Sequence, residues 1–386
     1  MRTAFVVSAL AFIAPALSAP TVVPIIKRAG PVKPNSYIVK LKDDASNETW
    51  SKLAEAMGQS GSSMTHDYRP LMNAFAGNLL GSGLSVLQNS KDVEYIEQDS
   101  IVSIDHGDDD SGFDLASSAN VQPREPLAAR TDAPVCDTKI VTVYGIDTGI
   151  YKEHNCFGGR AFPGFVYSGG TPGDDNGHGT HTIATAICTK YGLATSAHGI
   201  EVKGKLLGAD GSGSSSDVIA GVVWAAEDFV SKNVPAVATM SLGGPIAKAL
   251  DKAVEGAIGR GLHFTVAAGN SNAPADLFSP ARVNEANTIG AVDSENKKAS
   301  FSNFGPKLDA WAPGVNILSA WIGNPNAENT ISGTSMATPH VAGILAVAIC
   351  KYGNKKPEQI SADLKSHAAP VVKGALLSTD LLAQPW

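Results

Sequence analysis

A serine hydroxyl attacks a carbonyl at neutral pH only when a neighbouring base takes its proton and a third group orients that base. The chain carries the residue types for this chemistry in four separated stretches. Gly333-Thr334-Ser335-Met336-Ala337-Thr338-Pro339-His340 sets Ser335 at the mouth of an apolar run, Val341 to Ile349, that reads as a buried helix. The Ser335 hydroxyl would then lie near the positive end of that helix. Ile146-Asp147-Thr148-Gly149 supplies a carboxylate, Asn176-Gly177-His178-Gly179-Thr180-His181 an imidazole, and Ala267-Ala268-Gly269-Asn270 an amide. A lone G-T-S would be an ordinary helix cap. In this company Ser335 reads as a nucleophile, and the set reads as peptide hydrolysis.

Hydrophobic periodicity says what must position these groups. From Lys139 onward, apolar strands alternate with amphipathic helices. Strands are expected over Ile140–Ile146, Val234–Met240 and Phe264–Ala267. Helices are expected over Thr180–Thr189, from Val218 to near Lys232, over Ala247–Gly261, and over Thr334–Tyr352 with Pro339 in its first turns. This order predicts an α/β fold, a doubly wound and mostly parallel sheet with helices on both faces. Ligands gather at the carboxyl edge of such sheets. Asp147 ends a strand, Asn270 follows one, and His178 and Ser335 open helices, so all four converge on that edge.

The rest of the 386 residues bounds the reading. Hydrophobic residues make up 43% and charged ones 17%, with a net charge of −7, which suits a globular chain and gives no basic face for nucleic acid. Residues 1–19, a cationic start and a short apolar run, read as a secretory signal, and no later segment approaches a membrane span. Secretion makes disulfides plausible among Cys136, Cys156, Cys188 and Cys350, with all three pairings open. Cys188 and Cys350 lie in apolar runs and also read as buried thiols. Lys27-Arg28 offers a dibasic processing site.

Residues 20–105 have a different character. Ser36–Lys42 alternates as a strand, Ser46 caps a helix bearing Trp50, Leu53 and Met57, and runs at Phe75–Leu80 and Val93–Ile96 flank a second helix around Leu84–Leu87. The order is β-α-β-β-α-β, a small ferredoxin-like α+β unit that resembles an inhibitor-type propeptide. The acidic, glycine-rich stretch 106–122 reads as a linker within which processing occurs, ahead of a catalytic domain over 123–386.

The motifs Asp147-Thr148-Gly149, Gly177-His178-Gly179-Thr180-His181, Ser241-Leu242-Gly243-Gly244, Ala268-Gly269-Asn270 and Gly333-Thr334-Ser335-Met336-Ala337 resemble the subtilisin-like serine proteases, in that family's order of Asp, His and Ser. The runs Phe301–Gly305 and Ile317–Trp321 are similar to the proteinase K branch of secreted fungal enzymes. The resemblance implies His178 as general base and acid, Asp147 as its orienting carboxylate, and Asn270 with the Ser335 backbone N–H as oxyanion donors. It further implies substrate held as a strand between Ser241-Leu242-Gly243 and Gly211-Ser212-Gly213, with Ala267, Ala268 and Gly269 lining the pocket ahead of the cut. None of these is charged, so the expected preference is broad, apolar or aromatic. The expected partners are protein or peptide substrates and the chain's own propeptide, acting as chaperone and inhibitor on a monomer. No cofactor is needed for catalysis. A structural calcium is implied at Asp309, completed by carbonyls near Asn284 and Ala286.

Other readings of the same residues are a weak protease-like fold kept for binding or inhibition, and a metal-dependent hydrolase. The pair His178 and His181 lacks the neighbouring glutamate or third ligand that a metal needs. His340 reads as a core histidine, and Asp174 and Asp175 as turn residues. Two departures from the family pattern stand close to the site. Thr182, Ile183 and Ala184 replace small residues behind His178, and Gly145 replaces a β-branched residue in the strand bearing Asp147.

Overall fold

The computed structural model describes residues 22–104, 140–167, 170–203 and 211–386. The expected signal, the acidic linker and Cys136 lie outside them.

The front unit has the expected order. Strands Val32–Leu41, Ser63–Asp67, Ala74–Asn78 and Val93–Ser103 form an antiparallel sheet, extended by Ile25–Ile26 running parallel to Val93–Ser103. Helices α1 (Asn47–Gln59) and α2 (Gly81–Gln88) cover it, closing a core of Val39, Trp50, Met57, Phe75 and Ile96. Ser46 caps α1 as expected, accepting the Thr49 N–H at 3.2 Å. The strand Ser63–Asp67 had no signal of its own, because it is a polar edge strand without a buried residue.

The second unit is built on a nine-stranded sheet. From Ala161–Val166 the order runs through His198–Lys203, Thr142–Asp147, Ala236–Met240, His263–Ala267, Asn287–Val292, Ala310–Pro313 and Leu381–Leu382, all parallel, and ends in the antiparallel Ala369–Pro370. Alternate residues of each strand enter opposite cores. Tyr144, Ile146, Ala238 and Met240 face α4 (Ser215–Lys232) and α5 (Lys248–Gly259). Val143, Val237 and Ile289 face α3 (His178–Ile187), α6 (Thr334–Tyr352) and α7 (Pro357–His367). Each large aliphatic residue so buried contributes roughly 1.5–3 kcal/mol. Helix α6 is apolar on nearly every side because it runs through the interior of its layer.

Observed boundaries shift modestly from those expected. The first catalytic strand begins at Thr142 rather than Ile140, whose side chain is exposed, and α3 begins at His178 rather than Thr180. Cys156 and Cys188 form a disulfide with Cα atoms 5.2 Å apart, and Cys350 is disulfide-bonded as well, which corrects the reading of Cys188 and Cys350 as free thiols. The Cys156–Cys188 bridge closes a loop of 32 residues, worth roughly 3–4 kcal/mol of unfolded-chain entropy, and anchors the end of α3. No described helix is long and apolar enough to cross a membrane.

Candidate active site

Asp147 is the last residue of a strand buried along its whole length. Its Oδ1 accepts the Thr148 N–H at 2.7 Å and lies 2.7 Å from His178 Nδ1. His178 opens α3, and Gly177 just before it takes the left-handed conformation at φ 107°, which a side chain would resist. Both partners are buried, so water does not compete for the bond.

Asp174 joins the two loops that carry this pair. Its Oδ1 accepts from Thr148 Oγ1, Asn176 N and Gly177 N at 2.8, 3.0 and 2.9 Å, and its Oδ2 accepts from Thr180 N and Oγ1 at 2.8 and 2.6 Å. A carboxylate at the N-terminus of α3 also complements the helix dipole. Asp174 is therefore a positioning residue rather than only a turn residue. Asp175 instead pairs with Lys203 at 2.9 Å, which holds it below the usual carboxylate range.

Ser335 is the second residue of α6, and Pro339 explains how it is anchored. Proline has no N–H, so the carbonyl four residues earlier, that of Ser335, receives no helical hydrogen bond from it. Ser241 Oγ donates to that carbonyl at 2.8 Å, while Ser335 Oγ donates to the Ser241 carbonyl at 3.1 Å. Helix α6 and the segment at Ser241 are thus tied together at Ser335. Asn270 is anchored by its acceptor end, with Oδ1 receiving the Thr334 N–H and Oγ1–H, each at 2.8 Å. Its Nδ2 edge faces Gly333, where a Cβ would come within 3.4 Å of it.

Both segments expected to hold substrate are engaged by the chain itself. Strand Val93–Ser103 leaves the front unit and pairs antiparallel with Ser212–Ser214, setting Ile101 against Ser214, Val102 against Gly213 and Ser103 against Ser212. Ile104 donates its N–H to the Gly211 carbonyl at 2.9 Å. On the other side Ser103 exchanges two backbone hydrogen bonds with Gly243, at 3.3 and 3.2 Å. Gly211 with Ser212-Gly213, and the segment Ser241-Leu242-Gly243 through Gly243, thus form two rails of a slot that holds an extended chain. Beside it lies a pocket of about 180 Å³ lined by Leu242, Ala267, Ala268, Gly269, Asn270 and Ser335, with Phe278, Ser279 and Ala281 completing it. These last three carry no local signal in sequence; the pairing of Gly244-Pro245 with Phe278-Ser279 brings them in.

The front unit also holds the catalytic unit by two carboxylates spaced to share one strand face. Asp99 accepts from Ser215 Oγ and Ser216 N with one oxygen, at 3.0 and 2.9 Å, and from Ser36 Oγ and Ser216 Oγ with the other, at 2.8 and 2.6 Å. Glu97 accepts the Ala249 N–H at 3.1 Å and pairs with Arg28, which donates to the Ile246 carbonyl. Ser215 and Ser216 open α4, and Ala249 is the second residue of α5. Neither helix has a side-chain cap from its own N-cap residue, so Asp99 and Glu97 serve as caps in trans. Arg28, buried in its ion pair, is not presented as a dibasic processing site.

The remaining expectations sort as follows. His181 Nε2 faces the carbonyls of Ile317 and Asn329 at 3.0 and 3.2 Å and so carries the proton. Burial, then the neighbouring His178, lowers its pKa to about 3, so the ring is neutral. His340 is buried, as a core histidine should be. Behind His178, Thr182 Oγ1 lies 3.2 Å from Asp147 Oδ2 and 3.0 Å from the Gly179 carbonyl, adding a donor rather than crowding the helix. Ile183 fills the space over Gly145, where a Cβ would come within 3.3 Å of its Cδ1. Of these departures, Ile183 and Gly145 form one complementary contact.

Residues 138–381 match the Subtilase family, and residues 36–105 match Peptidase inhibitor I9. "Subtilisin-like protease 2" of Pseudogymnoascus destructans is 49% identical over 226 residues, 58% of this chain and 56% of that protein. "Proteinase R" of Parengyodontium album is 38% identical over 325 residues, 84% of this chain and 81% of that one. Among solved structures, that of a cold adapted subtilisin-like serine proteinase superposes with a TM-score of 0.60 at 43% identity, covering 64% of this chain and 89% of that chain.

Proposed function

Because the chain belongs to the subtilase family and is a serine endopeptidase preceded by a peptidase inhibitor domain, we propose that it is a secreted zymogen that cuts itself free of residues 20–105 and then cleaves peptides through Asp147, His178 and Ser335. The observation that carries this reading is the strand Ile101–Ile104, bonded along both rails beside the buried Asp147–His178 pair and Ser335.

The mechanism follows from what each group can do. Ser335 Oγ exchanges its bond to the Ser241 carbonyl for one to His178 Nε2, which takes the proton as Oγ attacks. Asp147 fixes the tautomer through Nδ1 and stabilises the imidazolium. The negative charge on the attacked oxygen is met by Asn270 Nδ2 and the Ser335 N–H. His178 then protonates the leaving amine, and water hydrolyses the acyl-enzyme by the same route in reverse. A backbone-bonded slot holds any sequence, so selectivity falls to the pocket. Its lining has no charged side chain, which favours apolar or aromatic residues before the cut. A phenylalanine p-nitroanilide peptide should therefore turn over at least about tenfold faster than its arginine counterpart. Faster turnover of the arginine peptide would overturn the assignment.

The end of the inhibitor match supports a processing bond. Ile104 is the last described residue held in the slot, and the match to Peptidase inhibitor I9 ends at residue 105. The processing bond we propose is therefore Asp105–His106, outside the described residues. Aspartate is a poor match to an apolar pocket, but covalent attachment supplies a local concentration that offsets a poor fit. N-terminal sequencing of the secreted enzyme should begin at His106; a start well inside the acidic stretch would point to another protease or another register.

A further inference from the structure

Calcium takes six to eight oxygens at about 2.3–2.6 Å and is drawn by clustered negative charge. The family resemblance implies such an ion at Asp309, and the residues present do not suit it. Asp309 Oδ2 accepts the Thr288 N–H at 2.8 Å, and Oδ1 is taken by Lys365 Nζ at 2.5 Å. A second ammonium, that of Lys307, bonds the side chain of Asn284, the residue whose carbonyl would have completed the site, and acts electrostatically on Asp309. No group of three or more His, Cys, Asp or Glu side chains converges there or elsewhere among the described residues. A divalent cation there would meet the Lys365 ammonium already paired with the one carboxylate, and a second ammonium on Asn284.

We infer that the Lys365 ammonium takes the place of a metal cation at Asp309, so that an internal ion pair, not calcium, fastens α7 to the strand Ala310–Pro313. The placement suits this use. Lys365 stands in the last turn of α7, where positive charge complements the helix dipole, and Asp309 is mostly shielded from solvent while its neighbour's stem reaches in from the surface. A lysine on a helix can span to the sheet permanently, whereas a bound ion must be captured from the medium.

The test uses the full enzyme, inhibited with phenylmethylsulfonyl fluoride to prevent autolysis, melted in EDTA and in 10 mM calcium chloride (about tenfold above the dissociation constant of the weakest extracellular calcium sites). For the native chain, either no shift beyond about 1 °C or a shift that Asp309→Asn leaves intact supports the inference, the second outcome placing any bound ion elsewhere. A calcium-dependent rise of several degrees that Asp309→Asn abolishes overturns it. Independently, Lys365→Met should lower the melting temperature by about 2–4 °C in EDTA, with no further loss when Asp309→Asn is added. Additive losses, or no loss from Lys365→Met, would also overturn it.

Discussion

Replacing Ser335 by alanine should leave a folded, uncleaved chain without measurable peptidase activity. The side chain is small and almost fully buried, and its hydroxyl makes one hydrogen bond, so removing it perturbs the fold by about 1 kcal/mol or less. The chemical consequence is far larger. Without the oxygen there is no acyl-enzyme, and a drop near 10⁶-fold in kcat is expected, a magnitude that is subtilisin's own rather than one drawn from this geometry. Three readouts should move together: fluorophosphonate labelling disappears, full-length zymogen accumulates, and hydrolysis of the phenylalanine peptide ceases. If the native chain takes no label, the fold serves binding alone. If zinc chelation rather than Ser335→Ala removes activity, the metal-hydrolase reading returns.

Asp99→Ala should weaken the grip of the front unit on the mature enzyme by between about 30-fold and a few thousandfold. The carboxylate is wholly buried at the junction and takes four hydrogen bonds, three of them from the first two residues of α4. Truncating a buried, hydrogen-bonded charge at an interface typically costs about 2–5 kcal/mol, at 1.4 kcal/mol per decade of affinity. Asp99→Asn keeps shape and one acceptor but loses the charge, and should fall between the two. The measurement is the inhibition constant of residues 22–105 added in trans. A change under threefold for Asp99→Ala would mean that the strand pairing at Ile101–Ile104, and not the helix caps, holds the complex.

These two cases show which parts of the molecule are written locally. Ser335, His178 and Asp147 are legible because the chemistry demands particular residue types at particular ends of elements, and α6 is legible because Gly333 precedes it and the apolar run Val341 to Ile349 continues it toward Gly353. The two slot segments, Gly211-Ser212-Gly213 and Ser241-Leu242-Gly243, are assigned through family resemblance, and their lack of charge gives only the expected preference. Glu97 and Asp99 are not, because alternation on a strand says only that they share a face, not that the face is covered. Asp174 looks like any turn aspartate until two loops fold around it. The polar edge strand Ser63–Asp67 and the pocket residues near Phe278 depend on neighbours remote in sequence. What escapes reading is tertiary contact between polar groups, where no periodicity is left behind.

The contact between Ile183 and Gly145 bears on how the chain could have been reached by descent. Starting from a small residue on the helix and a branched one on the strand, enlarging the helix residue first would overpack the core, at about 1–3 kcal/mol, while baring the strand first would leave a hollow of similar consequence. Neither substitution is a neutral first step. The pair behaves as a single inherited character, and relatives should carry both forms of it or neither, with the mixed combinations rare.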